Sequence, residues 1–170
     1  MRKSGKKKPQ DKKVSAVTRK LSDEKWLKSE LAKGKTAQDI LKLSDKEMDE
    51  YYNAACLFFE KEKYADAANT YHFLVTMNPS VHEYWLGLAM STQMCGDYEG
   101  ALDAYEMAAL NEIDSPIPYF YLAKCLFALH DSENALMALD LAIELSADNK
   151  EFEDLRRQAI KAKEFLHGRD

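Results

Sequence analysis

The sequence holds few of the residues that turns, cross-links and metal sites require. It has only six glycines and four prolines in 170 residues. β-Sandwiches and barrels spend both freely in turns, so this scarcity favours helix. Its three cysteines, Cys56, Cys95 and Cys125, are odd in number, lie 39 and 30 residues apart and form no C-x-x-C pair. That spacing argues against a disulfide framework or a zinc site. Each falls in an apolar helical run and reads as a small reduced hydrophobe. The histidines at 72, 82, 130 and 167 include no i,i+4 pair, so no metal site is expected. There is no nucleophile–base pair and no phosphate loop, so neither an enzyme nor a cofactor is expected. No window approaches 18 apolar residues, which excludes a helical membrane span and direct membrane insertion. The basic N-terminus has no apolar stretch behind it and does not read as a secretory signal. The chain is expected to stay in the compartment where it is made.

What is present is charge, unevenly spread. The net charge is −5, yet residues 1–20 carry nine Lys and Arg against the single acid Asp11. That segment is therefore +8 and the remainder −13. Its composition predicts a disordered, solvated basic tail. A basic tail can touch nucleic acid or an acidic membrane surface, but this one lacks interleaved aromatics and the acidic body opposes nucleic acid. No nucleic-acid partner is expected. The hydrophobic fraction of 46% and aromatic fraction of 11% are those of a folded domain.

Residues 21–47 read as a helical N-terminal extension. Ser22 is placed to cap a helix running to about Lys33, with Trp26, Leu27 and Leu31 on one apolar face. Gly34 ends it. Thr36 caps a second, short helix bearing Ile40 and Leu41. Ser44 and Glu47 then form a capping box for a helix beginning near Asp45.

From Met48 the chain repeats every 34 residues, in units 48–81, 82–115 and 116–149. Position 4 is Tyr51, Trp85 and Tyr119. Position 8 is Ala55, Ala89 and Ala123. Position 20 is Ala67, Ala101 and Ala135. Position 24 is Tyr71, Tyr105 and Leu139. Pro79 stands at position 32. Small residues at 8 and 20 let two antiparallel helices approach, and the large ones fill the space around that contact. This pattern resembles the tetratricopeptide repeat, so the expected fold is all-α: a superhelix of three helix-turn-helix repeats. Ser132 replaces the usual aromatic at position 17, which predicts a looser third unit. Residues 150–170 supply a further amphipathic helix, bearing Phe152, Leu155, Ala159, Ala162 and Leu166. Its expected role is to cap the exposed edge of the last repeat.

In this repeat family the first helices of the units line a concave groove. Positions 5, 9 and 12 are Tyr52, Cys56 and Phe59, then Leu86, Met90 and Gln93, then Phe120, Lys124 and Phe127. Tyr121 joins them from position 6 of the third unit. The predicted groove is apolar and aromatic, with Gln93 and Lys124 as polar exceptions. Lys124 is placed to bond a partner's backbone carbonyl. A concave wall of exposed aromatics implies a protein partner. The basic clamp by which some tetratricopeptide domains hold the C-terminus of heat-shock chaperones is missing, because Tyr52, Cys56, Ile117 and Tyr121 occupy its positions.

The runs GKTAQDILKLSDKEMDEYYNAA, EYWLGLAMSTQMCGDYEGALDAY and SPIPYFYLAKCLFAL, with ADNKEF before the last helix, resemble a narrower family. These segments are similar to the class II chaperones of bacterial type III secretion, the SycD/LcrH-type chaperones of translocator proteins. The resemblance spans roughly residues 21–166. It implies a bacterial cytoplasmic chaperone that holds an extended N-terminal segment of a hydrophobic translocator in its groove. It places the family's groove aromatics at Tyr52 and Phe59, with Cys56 where an aromatic is usual. It also implies a homodimer through the N-terminal helices, for which Trp26, Leu27 and Leu31 are the candidate contacts. The basic tail is not a feature of the family. The alternative reading is a generic tetratricopeptide-repeat scaffold that joins folded proteins by the same groove.

Overall fold

A computed structural model describes residues 22–168; the basic tail assigned to residues 1–20 lies outside the described residues. The chain divides into two units with a boundary between Ser44 and Asp45. Among the described residues there is no strand.

The first unit holds α1 (Glu24–Ala32) and α2 (Ala37–Leu41). The cap of α1 is Asp23 rather than Ser22: its carboxylate accepts the amide of Trp26 at 3.1 Å. Both residues are competent caps, and the helix starts one residue later than Ser22 predicts. The chain leaves α1 through Gly34, whose φ of +78° is the left-handed conformation a glycine adopts without strain. Thr36 caps α2 in a full capping box with Asp39. The side chain of Glu30 accepts from Lys33 at 2.7 Å and Lys35 at 2.5 Å. These two ammonium groups hold its carboxyl at about 2, well below the usual carboxylate range. Trp26 and Leu27 are half-buried and Leu31 is exposed.

The second unit is a run of antiparallel helix pairs. α3 (Asp45–Glu60) pairs with α4 (Tyr64–Met77), α5 (His82–Met94) with α6 (Tyr98–Asn111), and α7 (Pro116–Ala128) with α8 (Ser132–Leu145). Each pair also packs on the next, α4 against α5 and α6 against α7. A short 3₁₀ turn (Lys150–Phe152) leads into α9 (Glu153–His167), which packs on α8. The turns inside the second and third pairs are fixed by Asp97 and Asp131, which accept the amides of Gly100 and Asn134 and cap α6 and α8.

The small residues sit where the helices of each pair meet. Ala55, Ala67, Ala89, Ala101 and Ala135 have no exposed surface, and Ala123 almost none. Around them lie Leu74, Tyr105 and Leu139, all at most 2% exposed. The last pair shares its core with α9: Ala123, Ala135, Leu139 and Ala142 form one cluster with Ala159 and Leu166. Cys95 departs from the sequence reading. It follows the last turn of α5 and is exposed, because that helix ends there at the turn through Gly96; Cys56 is half-buried and Cys125 buried.

Candidate functional site

The spacing of three and four residues puts Tyr52, Cys56 and Phe59 on one face of α3. All three are half-buried. The Tyr52 ring stands nearly perpendicular to Tyr71, with centroids 6.0 Å apart, and lies 5.8 Å from Tyr84. The sulfur of Cys56 lies 3.3 Å from the Tyr71 hydroxyl. Phe59 meets Tyr64 edge-on at 5.2 Å. Tyr71 comes from α4, and its ring reaches this place because Gly87 on α5 has no side chain. A Cβ there would stand 2.3 Å from the ring carbons. Burial raises the Tyr71 hydroxyl far above the usual tyrosine range, and the Cys56 contact adds to this. Burial raises Tyr52 as well. These hydroxyls stay neutral at physiological pH, so this wall offers ring faces and no charge.

In the middle of the face, Leu86 and Met90 project from α5 and pack against a buried cluster of Ala89, Ala101, Ala104, Tyr105 and Cys125. Gln93, a polar exception in the predicted groove, has a partner: its carbonyl oxygen accepts the Tyr105 hydroxyl at 2.7 Å. The Tyr105 ring in turn stacks on Tyr121, 10° from parallel at 6.0 Å. Burial pushes the Cys125 thiol up to about 11, so it is neutral and inert here.

The third part of the face lies along α7. Phe120 is only 4% exposed and belongs to the core shared with α9, which corrects its reading as an open groove residue. The cause is α9 itself, whose Leu166 and Ala162 cover that side of α7. Lys124 is exposed, and its amine lies 4.3 Å from the Phe120 centroid and 4.7 Å from that of Tyr121. Desolvation over these rings holds the amine below the usual lysine range. Phe127 is 38% exposed and meets Phe165 of α9 edge-on at 6.4 Å. Between them opens a cavity of about 140 Å³, lined by Phe120, Lys124, Phe127 and Leu139 with Phe165 and Leu166.

The candidate residues thus fall along the first helices of the three pairs. Sequence reasoning missed Tyr71, Tyr84 and Gly87 at the first wall and Phe165 at the last. Gly87 carried a signal, since glycine inside a helix costs stability and its presence there asks for a reason. Phe165 lay off the apolar stripe used to recognise α9 and gave none.

A tetratricopeptide-repeat profile matches residues 52–116. The low calcium response locus protein H of Yersinia pestis is 29% identical over 146 residues, covering 82% of this chain and 87% of that protein. The fold is similar to that of the type III secretion chaperone SycD of Yersinia enterocolitica, solved with a peptide of the translocator YopD. It superposes with a TM-score of 0.72 and 27% identity, over 75% of this chain and 97% of that one. PcrH of Pseudomonas aeruginosa, solved with the chaperone binding region of PopD, gives a TM-score of 0.73 at 28% identity, over 75% and 96% of the two chains. Among the described residues no helix is long and apolar enough to cross a membrane. By its repeat register, its apolar face and these likenesses, the chain has the tetratricopeptide-repeat fold and is similar to the translocator chaperones of type III secretion.

Proposed function

We propose that this protein is a cytoplasmic chaperone of type III secretion. It holds an extended segment of a translocator protein against the face formed by α3, α5 and α7, and it catalyses no reaction. The observation that carries this is the composition of that face: neutral tyrosine rings at one end, Leu86 and Met90 in the middle, and an open apolar cavity between Phe127 and Phe165 at the other. Translocators insert into membranes, so they carry apolar segments that aggregate in water. A chaperone that covers part of such a chain keeps it soluble and unfolded until export.

The energetics suit this task. Fully burying one large apolar side chain contributes roughly 1.5–3 kcal/mol. Three such anchors give about 5–9 kcal/mol before the cost of ordering the peptide. A short peptide should therefore bind weakly, with a Kd on the order of micromolar at the tightest. A whole client that touches a second surface would bind more tightly. We further propose a homodimer through α1, on which Leu31 is exposed.

Co-expression tests the function. A translocator encoded near this chain should co-purify with it as a soluble complex and precipitate or be degraded without it. Translocators that stay soluble alone, or that never co-purify, would refute the proposal.

A further inference from the structure

From α4 to the end of the third repeat the chain is almost devoid of positive charge. Residues 64–149 contain thirteen Asp and Glu and one basic residue, Lys124, a net charge of −12. That one cation stands on the candidate groove, at the rim of the cavity between α7 and α9. Among the described residues its amine has no carboxylate partner; its contacts are the faces of Phe120 and Tyr121. Ring faces attract an ammonium group but accept no hydrogen bond as an oxygen does, so its three donors look to solvent.

The cavity beside it has the size of one large side chain. An apolar cavity of about 150 Å³ accepts a benzene-sized group, and this one measures about 140 Å³. An apolar anchor entering it displaces the water that hydrates the neighbouring amine. A buried or half-buried cation left without an acceptor is costly. The ligand that fills the cavity must therefore bring an acceptor of its own. A carboxylate meets the charge as well as the hydrogen bonds. Elsewhere along α4 to α8 the negative field opposes an acidic side chain, so along α5 and α7 its position is set by this lysine.

We infer that Lys124 and the Phe127–Phe165 cavity together form a specificity site for a client segment in which a large apolar residue is followed or preceded closely by Asp or Glu. This rests on the groove reading proposed above and adds to it a register: the acid fixes which apolar residue enters the last cavity. Phe120 and Tyr121 position the amine, while Phe127 and Phe165 form the cavity walls.

The test uses the full chain as bait for a displayed library of random 12-residue peptides. The selected peptides should carry Asp or Glu within two residues of a large apolar residue. The best binder is then synthesised with both ends blocked, which removes terminal carboxylates, and its acid is changed to the isosteric amide. On the parent chain that change should weaken binding about 5-fold. On Lys124→Gln, with helicity checked by circular dichroism, acid and amide peptides should bind alike. On Lys124→Glu the amide peptide should bind better than the acid. Phe165→Ala should weaken both peptides equally, since it alters the cavity and leaves the amine. Equal binding of acid and amide peptides to the parent would overturn the inference while leaving the groove reading intact. Failure to select any peptide would overturn both.

Discussion

Gly87→Ala adds a single methyl group, and its effect can be worked from the structure. The new Cβ would lie 2.3 Å from two ring carbons of Tyr71. Carbon atoms rest at about 3.5–4.0 Å, so the ring must retreat by more than 1 Å. Tyr71 is 5% exposed, its hydroxyl lies 3.3 Å from the Cys56 sulfur, and its ring meets Tyr52 edge-on. It has little room to move, and moving breaks those contacts. Overpacking of this kind costs about 1–3 kcal/mol. Alanine regains about 1 kcal/mol of helix propensity over glycine. Because Tyr71 has so little room, the upper half of that overpacking range, about 2–3 kcal/mol, applies here, and the net expectation is a loss of about 1–2 kcal/mol, or ~2–8 °C in Tm for a chain of this size. Urea unfolding followed by circular dichroism measures it. Cutting the ring back in a Tyr71→Leu background should remove most of the penalty, a coupling that a double-mutant cycle reads directly. If Gly87→Ala is as stable as the parent, the Tyr71 ring does not occupy the space above Gly87 and the first wall of the groove is built differently.

Ala101→Leu and Ala135→Leu should each cost about 1–3 kcal/mol by overpacking the paired helices, read as a lowered Tm; parental melting of either would put the repeat register in doubt. In the first unit the depressed Glu30 carboxyl stabilises the folded state above its unfolded pKa of roughly 4.5. That contribution is lost as pH falls from there towards about 2, where the folded-state group protonates. A carbon-13 titration of the Glu30 carboxyl should find its midpoint near 2 in the parent and higher in Lys35→Ala; a midpoint near 4.5 in the parent would refute the double ion pair. Trp26→Glu with Leu31→Glu should sediment as a monomer where the parent sediments as a dimer, and a parent that is monomeric at high concentration would end the dimer proposal. Removing residues 1–20 should leave melting and client binding unchanged, since that segment has few apolar residues to bury.

The parts of the fold that were legible were those where sterics leave no choice. Alanine recurring at positions 8 and 20 marks the points where two helix backbones approach, and Ala55, Ala67, Ala89, Ala101 and Ala135 are indeed sealed from solvent. The contacts between repeats were less legible. They depend on which side chain of one pair meets which of the next, and periodicity gives the face of a helix but not its partner. Hence the Tyr71–Gly87 contact went unseen, as did the bond from Tyr105 to Gln93. Phe120 shows the same limit. Its register puts it on the groove face, yet α9 covers it, and where a capping helix lies is not written in the spacing of α7. The one-residue error at Ser22 has a simpler cause, because Ser22 and Asp23 are adjacent and both can cap.

If the face of α3, α5 and α7 keeps a translocator soluble, removing a ring from each end of it should release the client. The soluble yield of a co-expressed translocator with the parent and with the Tyr52→Ala, Phe127→Ala variant, alongside the helicity of each chaperone, measures this. Phe127 is partly exposed and Tyr52 half-buried, so the variant should keep near-parental helicity while each end of the groove loses a ring. The expected result is a folded variant whose client aggregates or is degraded. A folded variant that keeps its client fully soluble would contradict it.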